Sequence, residues 1–278
     1  MSKRALLIGI NRYRIPGADL RGCVNDVTNL TAALVEVLGF AKSDISTLLD
    51  AQATKRAIGA GIQRLVRTSK PGDVGWLHFS GHGSNFPDKE GDEADYREEA
   101  LCPTDLDWRD PLTVTSLGHA LDAVARRVEL VVTLDCCFSG SNTRALQAPD
   151  APVIARYLPS PWDLVAAESG RALRGERNSL GTSRTRSKVV RDTDLRWIVM
   201  QASLETEIAA DALLGGVYEG VFTSALVWAI RHRPASSYVE LLAATAKRLK
   251  ALKFDQTPVL IGPGQRLKRP FLESSDAV

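Results

Sequence analysis

Three short, almost wholly apolar runs constrain this chain more than anything else in it: Ala5–Ile10 (ALLIGI), Val74–Phe79 (VGWLHF) and Val128–Leu134 (VELVVTL). A strand that is apolar at consecutive positions has to be covered on both faces, and a parallel sheet with crossover helices above and below it does this. The intervening segments supply such helices, because Val24–Leu38, Thr54–Val66 and Ser116–Arg126 carry apolar residues at helical spacing. Ile45–Leu49 and Leu195–Met200 read as further strands, Val221–Arg231 and Ser236–Leu252 as two closing helices, and Pro258–Ile261 as a short last strand. The alternation predicts an open α/β sheet between helices, with its ligand site beyond the carboxyl ends of the strands.

Composition narrows the function classes. A chain of 278 residues with 44% hydrophobic content can fill one sizeable core. A net charge of +2 is too near balance to draw the whole molecule to nucleic acid or to a membrane surface, so neither partner is expected. Met1–Ile10 holds two cations and an apolar run too short for a secretory core or a membrane span, which makes a cytoplasmic location the expectation. Cys23, Cys102, Cys136 and Cys137 show no CxxC spacing, so they read as free thiols rather than zinc ligands or a redox pair. Two stretches resist assignment: the polar segment Gly81–Asp110, and an insert between Gly140 and Leu195 rich in Arg, Ser, Gly and Pro, expected to lack regular structure.

Chemistry is to be sought where strands run out. Phe79 leads into Ser80-Gly81-His82-Gly83, and Leu134 leads into Asp135-Cys136-Cys137. A cysteine attacks carbonyl carbon as the thiolate and needs a base and some access, which the mouth of a sheet provides. A histidine between glycines can be set on a tight loop there, with an ordinary pKa suited to moving protons. Alone, each residue is better read as a small core hydrophobe or an idle loop histidine. Together, at the ends of two strands of one sheet, they favour catalysis. Alternation along the strand turns Cys136 away from the side that Cys137 faces.

The segments FSGHGS (Phe79–Ser84) and DCCFSGS (Asp135–Ser141) resemble the two catalytic motifs of metacaspases, relatives of the caspases. LRGCVND (Leu20–Asp26), GDEAD with EEALCPTD (within Gly91–Asp105), and GVFTSAL followed by QTPVL (Gly220–Leu226, Gln256–Leu260) extend the resemblance over nearly the whole chain in order. It implies a caspase-like α/β fold: a mainly parallel six-stranded sheet sandwiched between helices, in one catalytic domain over 1–278. That domain divides into a large part (1–140), a basic flexible linker (141–194) and a small part (195–278). It implies a cysteine endopeptidase with Cys137 as nucleophile and His82 as base, the two lying roughly as far apart as in caspases, where the histidine is about 50 residues upstream. The main-chain N–H groups of Gly83 and Cys137 would form the oxyanion hole. Asp26, Asp135, Cys23 and Ser80 would line the pocket for the residue before the scissile bond, where paired carboxylates select Arg or Lys and repel Asp. Asp26 has a second reading as a helix-capping aspartate.

The sequence departs from the family in places. Many metacaspases need calcium, and Asp92, Glu93 and Asp95 could contribute ligands. The Asp-Asp pair expected after the CPTD segment is replaced by Trp108-Arg109-Asp110, and Arg144 stands near a further expected aspartate, so a solvated acidic loop and no required cofactor are the expectation. Phe138 stands where histidine is common in the family. The insert carries Arg144, Arg156, Arg171, Arg174, Arg177, Arg184, Arg186, Lys188 and Arg191. Such a run is ordinarily a solvated face, but tethered beside an arginine-selecting pocket it reads as a pseudosubstrate, with self-cleavage expected after Arg174, Arg177, Arg184 or Arg186. Partners are then protein or peptide substrates with Arg or Lys before the cut, and the protein itself is expected to be a monomer. A non-catalytic caspase-homologue scaffold and a cysteine transpeptidase are the alternatives. Nucleotide binding lacks a GxGxxG or GxxxxGK[ST], a serine hydrolase lacks a GxSxG, and His78 with His82 finds no third zinc ligand.

Overall fold

The computed structural model describes residues 1–87, 97–138, 153–168, 195–204, 207–232 and 237–272. In chain order the first half contains β1 (Lys3–Gly9), α1 (Cys23–Glu36), β2 (Ile45–Leu49), α2 (Lys55–Thr68), β3 (Val74–Ser80), β4 (Gly83–Pro87), β5 (Arg97–Leu101), β6 (Leu112–Thr113), α3 (Val114–Asp122) and β7 (Glu129–Asp135). The second half contains β8 (Val153–Ala155), α4 (Pro161–Glu168), β9 (Ile198–Gln201), β10 (Ala210–Leu214), β11 (Val217–Gly220), α5 (Val221–His232), α6 (Tyr238–Ala251), β12 (Val259–Ile261) and α7 (Gly264–Leu267).

Six strands form the central sheet in the order β2-β1-β3-β7-β9-β12. The first five run parallel, and β12 lies antiparallel on the β9 edge. The mixed α/β architecture with a six-stranded, mostly parallel sheet is that of the caspase-like fold. Alternation along the strands divides the core in two. Leu6, Ile8, Leu77, Phe79, Val132 and Leu134 face the side covered by α2 and α3, together with Ile58, Ile62, Leu117 and Leu121. Ala5, Leu7, Trp76 and Val131 face the side covered by α1, α5 and α6, together with Leu30, Leu34, Phe222 and Leu241. This two-sided covering is the reason β1, β3 and β7 are apolar at consecutive positions. The one polar residue within the apolar run of β7, Thr133, is satisfied internally, its Oγ1 lying 3.0 Å from Trp76 Nε1 and 2.8 Å from His78 Nδ1.

Helix starts follow side-chain chemistry. Thr54, Thr113 and Ser237 each accept a hydrogen bond from the backbone N–H three residues on, capping α2, α3 and α6. α3 stops at Asp122, short of the expected Arg126, because the chain turns through Ala125–Val128 with Arg127 at φ 67°.

Two small sheets depart from the sequence expectation. The polar segment 81–110 contains β4 and β5, which pair antiparallel, with β6 on the outer side of β5. β8, β10 and β11 form a second three-stranded sheet, order β11-β10-β8. Residues 153–168, expected to lack regular structure, therefore hold β8 and α4. These strands escape a reading by alternation because they are short and their buried apolar positions, such as Leu101, Leu112, Ala210 and Ala212, are too few to leave a period-two pattern. Among the described residues no helix is long and apolar enough to cross a membrane.

Candidate active site

The parallel register brings Gly9, Ser80 and Asp135 level at the carboxyl ends of β1, β3 and β7. The loops leaving these strands are therefore delivered to one place, with His82 and Gly83 just after β3 and Cys136 and Cys137 just after β7. Cys136 packs into the core on the α2/α3 side and Cys137 into the core on the α1/α5 side, so the two thiols face opposite ways.

His82 is fixed from three directions. Its backbone N–H donates to the Tyr13 hydroxyl at 2.8 Å, its ring lies 5.0 Å from the Tyr13 ring, and Nε2 lies 2.9 Å from the Ala18 carbonyl oxygen. A carbonyl only accepts, so Nε2 carries the proton and Nδ1 is the lone-pair nitrogen. Nδ1 is buried without a hydrogen-bond partner. Burial lowers the imidazole pKa to about 4. Cys137 Sγ receives the Ala209 N–H at 2.6 Å and lies 3.3 Å from the Ala209 carbonyl oxygen. Burial raises its pKa to about 12, so thiol and imidazole are both neutral in this state.

The chain itself fills the cleft between them. The Arg156 carbonyl oxygen accepts from the N–H groups of both Gly83 and Cys137, each at 3.0 Å. Its guanidinium is wholly buried. Nη2 lies 2.7 Å from Asp26 Oδ2 and 3.4 Å from Asp211 Oδ1, and Nη1 lies 3.0 Å from Asp135 Oδ2. Nη1 also donates to Ser80 Oγ at 2.8 Å. Each carboxylate is anchored in turn. Asp26 accepts from Ser80 Oγ and Gly220 N, Asp135 from the N–H and hydroxyl of Thr223 at the start of α5, and Asp211 from Arg21 N and Gly22 N. Burial raises the Asp135 pKa to about 6 even beside the guanidinium, and raises Asp211 as well. Three carboxylates around one cation leave the site with surplus negative charge.

Two glycines make the walls. A Cβ on Gly83 would stand 2.1 Å from the Cys137 carbonyl oxygen, and one on Gly220 would stand 2.4 Å from both Arg156 Nη1 and Asp135 Oδ2. Glycine is required where backbone approaches this closely.

Asp26, Ser80 and Asp135 thus converge on one guanidinium, and Gly83 and Cys137 on one carbonyl oxygen. Cys23 borders the pocket, packing with Leu20 and Ile154. The capping alternative for Asp26 is overturned, since α1 begins with no side-chain cap and the Asp26 carboxylate points at the pocket. Arg174, Arg177, Arg184 and Arg186, and the acids Asp92, Glu93 and Asp95, lie outside the described residues. Sequence reasoning missed Asp211, whose only signal is a lone acid among the alanines of β10, and it missed the Ala18 carbonyl, which has no side-chain signal at all.

A cysteine and a histidine at neighbouring strand ends of a caspase-like sheet, beside a carbonyl held by two main-chain N–H groups, define a cysteine-type endopeptidase, a hydrolase. Residues 3–145 match the family model described as metacaspase, peptidase C14 domain. Metacaspase-1A of Aspergillus fumigatus is 31% identical over 295 aligned positions, covering 93% of this chain and 68% of that protein. Metacaspase-1B of Aspergillus niger is 30% identical, covering 93% of this chain and 64% of that protein. A solved structure from Geobacter sulfurreducens, 23% identical, superimposes with a TM-score of 0.69 over 98% of this chain and 99% of the other, a likeness of fold. The chain belongs to the metacaspase family of C14 cysteine peptidases.

Proposed function

We propose that this peptidase cuts after arginine, and less readily after lysine, through a Cys137–His82 dyad, with Asp26, Asp135 and Asp211 as the specificity carboxylates. One observation carries the reading: Arg156 sits with its guanidinium among three carboxylates while its carbonyl oxygen takes both the Gly83 and Cys137 N–H groups. That is the placement a substrate's arginine needs if its carbonyl carbon is to be attacked by the thiol. His82 Nδ1 takes the Sγ proton, the Ala18 carbonyl holds the opposite nitrogen in the correct tautomer, and the two N–H groups stabilise the developing oxyanion. The amine leaves with the proton, and water resolves the thioester.

Family members that need calcium raise the question of a metal. Among the described residues no three His, Cys, Asp or Glu side chains are grouped to hold one. Within and just after the CPTD segment, Asp105 accepts from the Lys55 backbone N–H, Asp107 accepts from the Arg109 N–H, and Asp110 pairs with the Lys55 ammonium. The candidate ligands Asp92, Glu93 and Asp95 lie outside the described residues, and the proposed reaction draws only on Cys137, His82 and the two main-chain N–H groups. The enzyme acts on protein substrates as a cytoplasmic monomer and cleaves itself within the basic stretch. Fluorogenic peptides ending in Arg, Lys or Asp, given to wild type and to Cys137→Ala with and without calcium, test it. Hydrolysis after Asp, or activity surviving in Cys137→Ala, would refute it.

A further inference from the structure

We infer that the peptide bond Arg156–Tyr157 is the first bond this enzyme cuts, and that the segment 153–158 keeps the cleft occupied until that cut is made. The inference rests on the peptidase reading above.

The segment lies along the cleft as a substrate would on both sides of one bond. On the amino-terminal side, β8 adds to the exposed edge of β10 in antiparallel register, with Ala155 opposite Ala210, and the Arg156 N–H donates to the Ala209 carbonyl at 2.9 Å. Strand addition of this kind is how extended peptides are gripped by a sheet edge. At the bond itself, the guanidinium and carbonyl of Arg156 occupy the two subsites described above. On the carboxyl-terminal side, Tyr157 bridges to Gly83 and the Leu158 N–H donates to the Gly83 carbonyl at 2.9 Å. The Tyr157 hydroxyl donates to Asp163 Oδ2 at 2.7 Å, and Asp163 is held by the Ser160 N–H and hydroxyl and by Arg97.

A buried arginine that served only to neutralise three acids would have no reason to place its carbonyl against two catalytic N–H groups. Side chain and main chain of one residue meet both requirements of a scissile position at once. The grip is also extensive enough to exclude another substrate, since the sheet edge, the oxyanion donors and the carboxylates are all engaged.

In the step itself, the Cys137 sulfur bonds to the Arg156 carbonyl carbon as its proton passes to His82. The carbon–nitrogen bond to Tyr157 breaks, and the proton goes from His82 to that nitrogen. Water then adds to the thioester, its proton returning through His82 to the sulfur, leaving a carboxylate on Arg156 and an α-amine on Tyr157. No other reactant is needed. Because the segment is already in place, the step is unimolecular.

Wild type, Cys137→Ala, Arg156→Lys and Arg156→Gln chains would be followed by intact mass and amino-terminal sequencing, alongside hydrolysis of a peptidyl-arginine aminomethylcoumarin. Wild type should yield a fragment beginning at Tyr157, at a first-order rate independent of protein concentration, and Cys137→Ala should yield none. Arg156→Lys should keep the cut. Arg156→Gln should lose it by roughly 100-fold and should hydrolyse the peptide without the lag that wild type shows. If wild type hydrolyses the peptide while no Tyr157 amino terminus forms, or while all cuts fall after Arg174, Arg177, Arg184 or Arg186, this inference is overturned and the peptidase reading stands. If no chain hydrolyses the peptide, the peptidase reading fails as well. Sequencing of the wild-type fragments decides the matter even if Arg156→Gln does not fold.

Discussion

At the scale of single residues, the pocket ranks its own members. Asp26 and Asp135 contact different nitrogens of the guanidinium at 2.7 and 3.0 Å, while Asp211 stands at 3.4 Å. A charge-assisted hydrogen bond contributes about 1.5–3 kcal/mol, so Asp26→Asn should raise KM for arginyl peptides by roughly 10- to 100-fold, and Asp211→Asn by less. Steady-state kinetics on the two single variants checks the order; an Asp211→Asn defect exceeding that of Asp26→Asn would contradict it. The fork geometry also separates arginine from lysine. A single ammonium cannot serve Asp135 with Ser80 on one side and Asp26 with Asp211 on the other, so arginyl substrates should lead in kcat/KM by about 10-fold or more. Cys137→Ala should abolish hydrolysis of both.

At the scale of elements, two placements make distinct demands. The β3–β4 connection passes so close to Cys137 that Gly83→Ala brings Cβ against a backbone carbonyl rather than a yielding side chain. The expected result is a loss of at least about 100-fold in kcat, the cost of a displaced oxyanion donor, with far-UV circular dichroism unchanged; full activity in this variant would remove Gly83 from the site. The second placement is the turn before β3. Asp73 accepts from the Ser2 N–H, the Lys70 N–H and the Arg4 guanidinium, tying that turn to the start of β1. Its pKa is lowered: burial works against the shift, and the hydrogen bonds and the Arg4 charge outweigh it. Asp73→Ala should therefore cost about 2 kcal/mol of unfolding free energy, read by urea titration in a Cys137→Ala background that cannot digest itself. Because the folded carboxylate is the better acid, this contribution is present above the ordinary Asp pKa and is lost as pH falls below it.

At the scale of the whole molecule, burial fixes two imidazoles in the neutral form. Desolvation lowers His78 to about 3 and His82 to about 4, from an ordinary value of 6.5. Between those limits the unfolded chain binds protons that the folded chain refuses, so stability rises with pH across the window and falls on acidification below about 6.5. Each histidine contributes a slope of up to about 1.4 kcal/mol per pH unit. Urea midpoints of the Cys137→Ala chain should thus drop between pH 6.5 and about pH 4.5, less steeply than two histidines alone would give. Asp135, raised to about 6, and Asp211, also raised, take up protons in the folded state over the same interval and offset part of the slope. Stability that instead rises as the pH falls over that interval, the raised carboxyls acting alone, would mean that the two imidazoles reach water in the folded state.

The sequence by itself determined the sheet, because an apolar run covered on two faces leaves a local mark, and it determined the cysteine, the histidine and two of the carboxylates, because strand ends and short motifs are contiguous in the chain. It did not determine the β8-β10-β11 edge, the third carboxylate or the arginine that fills the pocket. Asp211 is contributed by a strand far along the chain from Asp26, and nothing local to Arg156 distinguishes it from the other arginines of the insert. Only the packing of distant segments, where buried charge must find opposite charge and an exposed strand edge must find a partner, decided which side chains meet there.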